Sequence, residues 1–297
     1  MRNQRLLGSV SALLLLCSGN VIADIRDEKE ISTLVMDDAG REIVLLKPAE
    51  RVVSMSPGLA ELIFAIGAGD RLVGTVAYSD YPEAARLVPV IGDYQAIDYE
   101  SLLLLQPDLV LLWGSGQGAA VSEKLGDLNI PYYVAEMSKI DDVVTTMARL
   151  SVLVGVDSLD LQRTFVDQVS AITDQYSSVT AIGKQRVFVQ IWHPPLMTVG
   201  GNQFISEIVS RCGGTNVFAD RSEKSFTVNI ESVLTRQPDV ILFVSKTRDA
   251  EAIAMWKQFG DIPAVEHHRF VWADPDLLSR AGPRIIQGLS TVCEGLH

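Results

Sequence analysis

Glu100-Ser101-Leu102-Leu103-Leu104-Leu105-Gln106-Pro107-Asp108-Leu109-Val110-Leu111 returns 131 positions later as Glu231-Ser232-Val233-Leu234-Thr235-Arg236-Gln237-Pro238-Asp239-Val240-Ile241-Leu242. Each copy starts at a helix opening, and the first runs into an apolar strand, Leu109 to Trp113. Two further echoes lie outward in the same order. Arg51-Val52-Val53 resembles Arg186-Val187-Phe188, and Ala60-Glu61-Leu62-Ile63 through Gly67-Ala68-Gly69 resembles Ser206-Glu207-Ile208-Val209 through Gly213-Gly214-Thr215. An internal repeat of this size predicts two similar α/β lobes with mainly parallel sheets.

Strands are expected over 51–55, 109–113 and 131–134 in the first half, with helices over 59–66, closed by Gly67, and 141–154. Between the halves, Leu159, Leu161, Phe165, Val166, Val169, Ile172 and Tyr176 recur at near-helical spacing with no proline or glycine. That pattern predicts one continuous connecting helix, stiffer than a pair of crossing loops; an ordinary surface helix within one lobe is the alternative. The expected boundaries are 1–23 for a signal peptide, 24–156 for the N-terminal lobe, 157–180 for the connecting helix and 181–297 for the C-terminal lobe.

Arg2 and Arg5 precede an apolar run from Leu6 to Cys17, and Val21-Ile22-Ala23 follows as a small-residue cleavage site. This is the pattern of a secretory signal peptide, too short to stay as a spanning helix. Cys17 invites a lipid anchor, but Leu16 puts a bulky side chain where such signals carry a small one, so free export to the periplasm is expected. The remaining cysteines, Cys212 and Cys293, read as one disulfide closing an 81-residue separation, with two unpaired buried thiols as the alternative. Without Arg2 and Arg5 the chain has 23 basic and 37 acidic residues. A net charge of −14 argues against nucleic acid as a partner.

Ligands of open α/β sheets bind beyond the carboxyl ends of the strands. Trp113 ends one strand there, Trp192 and His193 follow another, and Tyr78, Tyr81 and Tyr94 lie in glycine- and proline-punctuated loops of the first half. Flat aromatic faces suit a large, partly apolar, planar ligand, although each ring taken singly could equally pack a loop onto its own lobe.

Four segments carry a family resemblance over 51–296: Tyr78-Ser79-Asp80-Tyr81-Pro82, Gln106-Pro107-Asp108-Leu109-Val110, Cys212-Gly213-Gly214-Thr215-Asn216-Val217-Phe218 and Arg280-Ala281-Gly282-Pro283-Arg284-Ile285-Ile286. They resemble the cobalamin-binding branch of the periplasmic solute-binding proteins whose lobes are joined by a single helix. The resemblance implies a monomer that captures vitamin B12 for an ABC importer and delivers it to the permease dimer of the inner membrane. It implies no catalysis, no catalytic residues, no metal site and no cofactor, cobalamin being the cargo. It further implies that Tyr78, Tyr94 and Trp113 contact the ligand from the first lobe, Asp276 and Arg280 from the second, with Trp192 and Phe226 near the remaining aromatic contacts. Haem or a ferric siderophore is the alternative ligand within the same fold.

Asp98 and Asn229 read as N-caps, each followed two residues later by a glutamate at a helix opening. Helix-dipole stabilisation accounts for Glu100 and Glu231 locally. The resemblance adds a second role, docking onto arginines of the two permease subunits, one glutamate per lobe. A remote reading, an exported nucleotide-dependent enzyme, rests on Gly114-Ser115-Gly116-Gln117-Gly118 with Glu136 beyond it; the third glycine comes one residue early for the phosphate fingerprint. Direct metal capture finds little support, because His193, His267, His268 and His297 show no ligand spacing.

Overall fold

The computed structural model describes residues 33–93, 96–177 and 184–297. The signal-peptide reading, Cys17, Tyr94 and the end of the expected connector at 178–180 lie outside the described residues. The first lobe opens with an antiparallel hairpin, β1 (Thr33–Met36) and β2 (Glu42–Leu45). Its main sheet is built from β3 (Val52–Ser54), β4 (Leu72–Gly74), β5 (Leu109–Trp113) and β6 (Tyr132–Ala135), all parallel, in the order β4-β3-β5-β6. The helices are α1 (Pro57–Ala65), α2 (Tyr99–Leu104), α3 (Gly114–Asp127) and α4 (Ile140–Val154). Proline at the first turn starts α1, and Gly155 at φ 63° closes α4, as helix chemistry requires.

The second lobe contains β7 (Gln185–Gln190), β8 (Met197–Val199), β9 (Gly214–Asn216), β10 (Ser225–Thr227), β11 (Val240–Val244) and β12 (Phe270–Ala273). Its main sheet is again parallel, in the order β12-β11-β7-β9. Matching β3 with β7, β4 with β9, β5 with β11 and β6 with β12 makes the two strand orders coincide. Between them runs α5 (Leu159–Ser177), with Phe165 and Val169 buried. The remaining helices are α6 (Phe204–Arg211), α7 (Ile230–Arg236), α8 (Ala250–Lys257), α9 (Pro263–Glu266), α10 (Pro275–Leu278) and α11 (Ile285–Leu296).

The repeated Gln-Pro-Asp does the same work twice. Gln106 and Gln237 both sit at φ 45°, a left-handed turn that ends the helix before a proline that cannot continue it. The aspartate then clamps the neighbouring strand: Asp108 accepts from the amides of Glu50 and Arg51 at 2.8 and 2.9 Å, and Asp239 accepts from that of Arg186 at 2.8 Å. Cys212 and Cys293 are bonded, joining the end of α6 to α11, so the unpaired-thiol alternative falls.

The glycine-rich segment after β5 is helical. Residues 114–118 form no loop; α3 begins at Gly114 itself. Its opening turn is already occupied by Glu136, which accepts from the Ser115 amide at 2.7 Å. A carboxylate at that helix start takes the place a phosphate would need, which removes the nucleotide reading.

Candidate functional site

The parallel strands of both lobes direct their carboxyl ends toward the segments that carry the expected site. Trp113 closes β5 with 42% of its surface exposed, after four buried residues. It shares an interlobe cavity of about 270 Å³ with Pro57, Met137, Phe204, Lys224 and Arg280. Trp192, 62% exposed beyond β7, lines a second cavity of about 430 Å³ within the second lobe, together with His193, Lys246 and Trp272. Asp276 joins the two, pairing with Lys246 on one side and with Arg280 Nη2 at 2.9 Å on the other.

Arg280 also reaches across the cleft. Its Nη1 donates to Asp80 at 2.7 Å and to Glu61 at 3.3 Å, both in the first lobe. Arg284 adds two donations to Glu61, from Nη2 at 2.6 Å and Nε at 2.9 Å, and its guanidinium lies 4.1 Å over the Tyr81 ring. Glu61 is 1% exposed, a charge that such burial permits only because two guanidinium groups surround it. The Arg280 hydrogen bond holds the Asp80 carboxyl below its usual range. The backbones approach closely here: a Cβ on Gly58 would stand 3.2 Å from the carbonyl oxygen of Ala281.

A second clasp closes the other flank. Lys224 donates to Glu136 and Ser138, Glu207 accepts from the Ile140 amide at 2.7 Å, and Arg211 pairs with Asp141 at 2.9 Å. A third cavity, about 660 Å³, adjoins this flank and is lined by lysines, Glu207 and small polar residues with no aromatic ring. Its chemistry does not match a planar apolar ligand.

The expected residues are thus placed unequally. Trp113 and Arg280 line one cavity, Asp276 pairs directly with Arg280, and Trp192 lines the other cavity together with Lys246. Tyr78 is 73% exposed at φ 69°, two residues before the clasp residue Asp80. Phe226 stays packed on its own lobe, edge-on to Phe218 at 5.7 Å with Arg221 over its face, and lines neither aromatic cavity. Sequence reasoning missed Glu61, Asp80, Lys224 and Arg284. Glu61 had a signal, a carboxylate inside the apolar run Leu59-Ala60-Glu61-Leu62-Ile63. Among the described residues no group of three or more His, Cys, Asp or Glu could hold a metal ion.

The model of the family described as periplasmic binding protein matches residues 52–277. The chain belongs to that family. It is 34% identical to the vitamin B12-binding protein of Vibrio parahaemolyticus over 252 residues, covering 84% of this chain and 90% of that one. The crystal structure of the periplasmic vitamin B12 binding protein of Vibrio cholerae superposes with a TM-score of 0.75 at 31% identity, covering 84% of this chain and 97% of the other. A periplasmic haem-binding protein from Roseiflexus, at 22% identity and a TM-score of 0.69, covers 83% of this chain and 97% of its own and shares the fold. Two α/β lobes with parallel sheets are therefore the family's architecture as well as this chain's.

Proposed function

We propose that this periplasmic binding protein captures cobalamin between its lobes and hands it to the permease of an ABC importer in the inner membrane. The observation that carries the reading is the convergence of Trp113, from the end of β5, and Arg280, from beyond β12, on one interlobe cavity. An aromatic face from one lobe and a fixed guanidinium from the other suit a large planar ring with amide and phosphate groups on its rim. The relatives named for vitamin B12 support the same ligand, whereas likeness to haem binders at 22% identity speaks for the fold.

Tyr78, Tyr94, Trp192, Phe226 and Asp276 complete the proposed contact set. The protein works as a monomer in the periplasm after loss of residues 1–23, catalyses nothing and needs no cofactor. Glu100 and Glu231 form the docking pair. Their helices are already capped, since Asp98 accepts from the Ser101 amide at 3.1 Å and Asn229 from the Ser232 amide at 2.9 Å. Both glutamates are exposed, and neither carboxylate has an ion pair among the described residues. Two free carboxylates at matching places suit two matching cationic sites on a symmetric permease.

Titration of the mature chain with cyanocobalamin, followed by tryptophan fluorescence, tests the capture step. Saturable quenching that weakens in Trp113→Ala supports it; quenching unchanged by that substitution removes Trp113 from the site.

A further inference from the structure

Lys224 lies in the polar stretch before β10. It faces the interlobe cavity beside Trp113, Met137, Phe204 and Arg280. Its position is fixed from the opposite lobe by Glu136 and by Ser138, whose hydroxyl accepts at 2.9 Å. Glu136 is itself anchored: it accepts from the Ser115 amide and hydroxyl at 2.7 and 3.2 Å, and its own amide donates to Asp38 at 2.7 Å. The carboxylate at the start of α3 thus serves as a rigid mount for a lysine of the other lobe.

An ammonium has three donors and no acceptor. Glu136 and Ser138 take two, which leaves one N–H for a ligand on a side chain that is 42% exposed and lines both the aromatic cavity and the polar one beside it. We infer that Lys224 is a second ligand-reading cation of the cleft, donating its third N–H to an oxygen acceptor of the bound molecule while Arg280 serves the other end. The inference rests on the corrinoid reading, and it goes beyond it by naming a specificity residue and Glu136 as its positioning residue. In a corrinoid the acceptor is either a rim amide carbonyl or the phosphate of the nucleotide arm. Both present the same chemistry to an ammonium. A donor held in place by two fixed partners loses little entropy when the ligand arrives, which is how a single charge-assisted bond becomes selective.

The test compares affinities of native protein, Lys224→Met and Lys224→Arg for three probes: cyanocobalamin, dicyanocobinamide, which lacks the nucleotide arm, and monocarboxylic acids of cyanocobalamin, in which one rim amide is a carboxylate. Losing the bond should weaken cyanocobalamin binding about tenfold. A phosphate contact predicts that Lys224→Met narrows the preference for cobalamin over cobinamide by that factor. A rim contact predicts that it abolishes a preference for one carboxylate derivative. Lys224→Arg should restore the native ratios in either case. Equal losses for all probes, or no loss, overturn the inference, because a packing role has no reason to change a ratio. Lys224→Gln, which keeps a donor for Ser138, gives the same readout should the methionine variant misfold. A native protein that binds no cobalamin overturns the corrinoid reading and this inference with it; native binding with unaltered ratios overturns this inference alone.

Discussion

Glu61 of the first lobe and Arg284 of the second meet across the cleft, with Nη2 at 2.6 Å and Nε at 2.9 Å from a carboxylate that is 1% exposed. Removing it leaves Arg280 and Arg284, 11% and 16% exposed, without their shared partner. Breaking a buried pair from one side costs about 3–5 kcal/mol. Glu61→Ala should lower the urea midpoint accordingly, and a loss below about 1 kcal/mol would mean that the clasp is not buried in solution.

Asp80 makes part of the same clasp pH-dependent. Its carboxyl is held below the usual 3.8 by the Arg280 hydrogen bond. A depressed carboxylate contributes fully above its unfolded pKa, about 3.9, and loses that contribution as pH falls through the folded value. The stability gap between native protein and Asp80→Asn should therefore be constant from about pH 5 to 7 and should close below about pH 4. A gap that grows on acidification contradicts this linkage.

The Cys212–Cys293 bond ties α6 to α11 over a separation of 81 residues. Constraint of an unfolded loop of that length is worth about 4 kcal/mol in the chain-entropy account. Replacing both cysteines with serine should cost that order in chemical denaturation, and alkylation of the native protein without reductant should label neither. Quantitative labelling of both would sink the assignment.

Glu100→Ala combined with Glu231→Ala separates capture from delivery. Neither residue lines the interlobe cavity, so ligand affinity should stay near native. Helix-dipole losses of about 0.3–1 kcal/mol each are too small to unfold a domain of ordinary stability. Uptake of labelled cobalamin by proteoliposomes carrying the cognate permease should fall, since truncated interface charges cost about 2 kcal/mol or more. Full uptake across a range of protein concentrations returns both glutamates to a helix-opening role.

The repeated Gln-Pro-Asp segments made the two lobes legible, because helix stop, strand start and strand clamp are all local. β5 carries Trp113 at its end as its apolar run foretold, and α5 follows its spacing. The clasps were not legible. Arg280 and Glu61 are 219 positions apart, and nothing in either segment announces the other. Lys224 sits in Arg221-Ser222-Glu223-Lys224, which reads as an ordinary solvated loop; the anchoring of Glu136 under it depends on where α3 begins. Phe226 is named by the resemblance alone, and its contact with Phe218 follows from the pairing of β10 with β8, which no local pattern shows. Gly114, Gly116 and Gly118 lie inside α3 although glycine is a poor helix former, so tertiary context at the β5 end overrides that propensity.

The central claim, that this cleft takes a corrinoid, is tested most directly by parallel calorimetric titration of the mature chain with cyanocobalamin, haemin and ferric siderophores. The expected result is saturable cyanocobalamin binding with a Kd at or below about 1 μM, equivalent to about 8 kcal/mol, and no comparable response to the other two. A flat trace with cyanocobalamin beside saturable binding of haemin would contradict the ligand assignment while leaving the two-lobe fold intact.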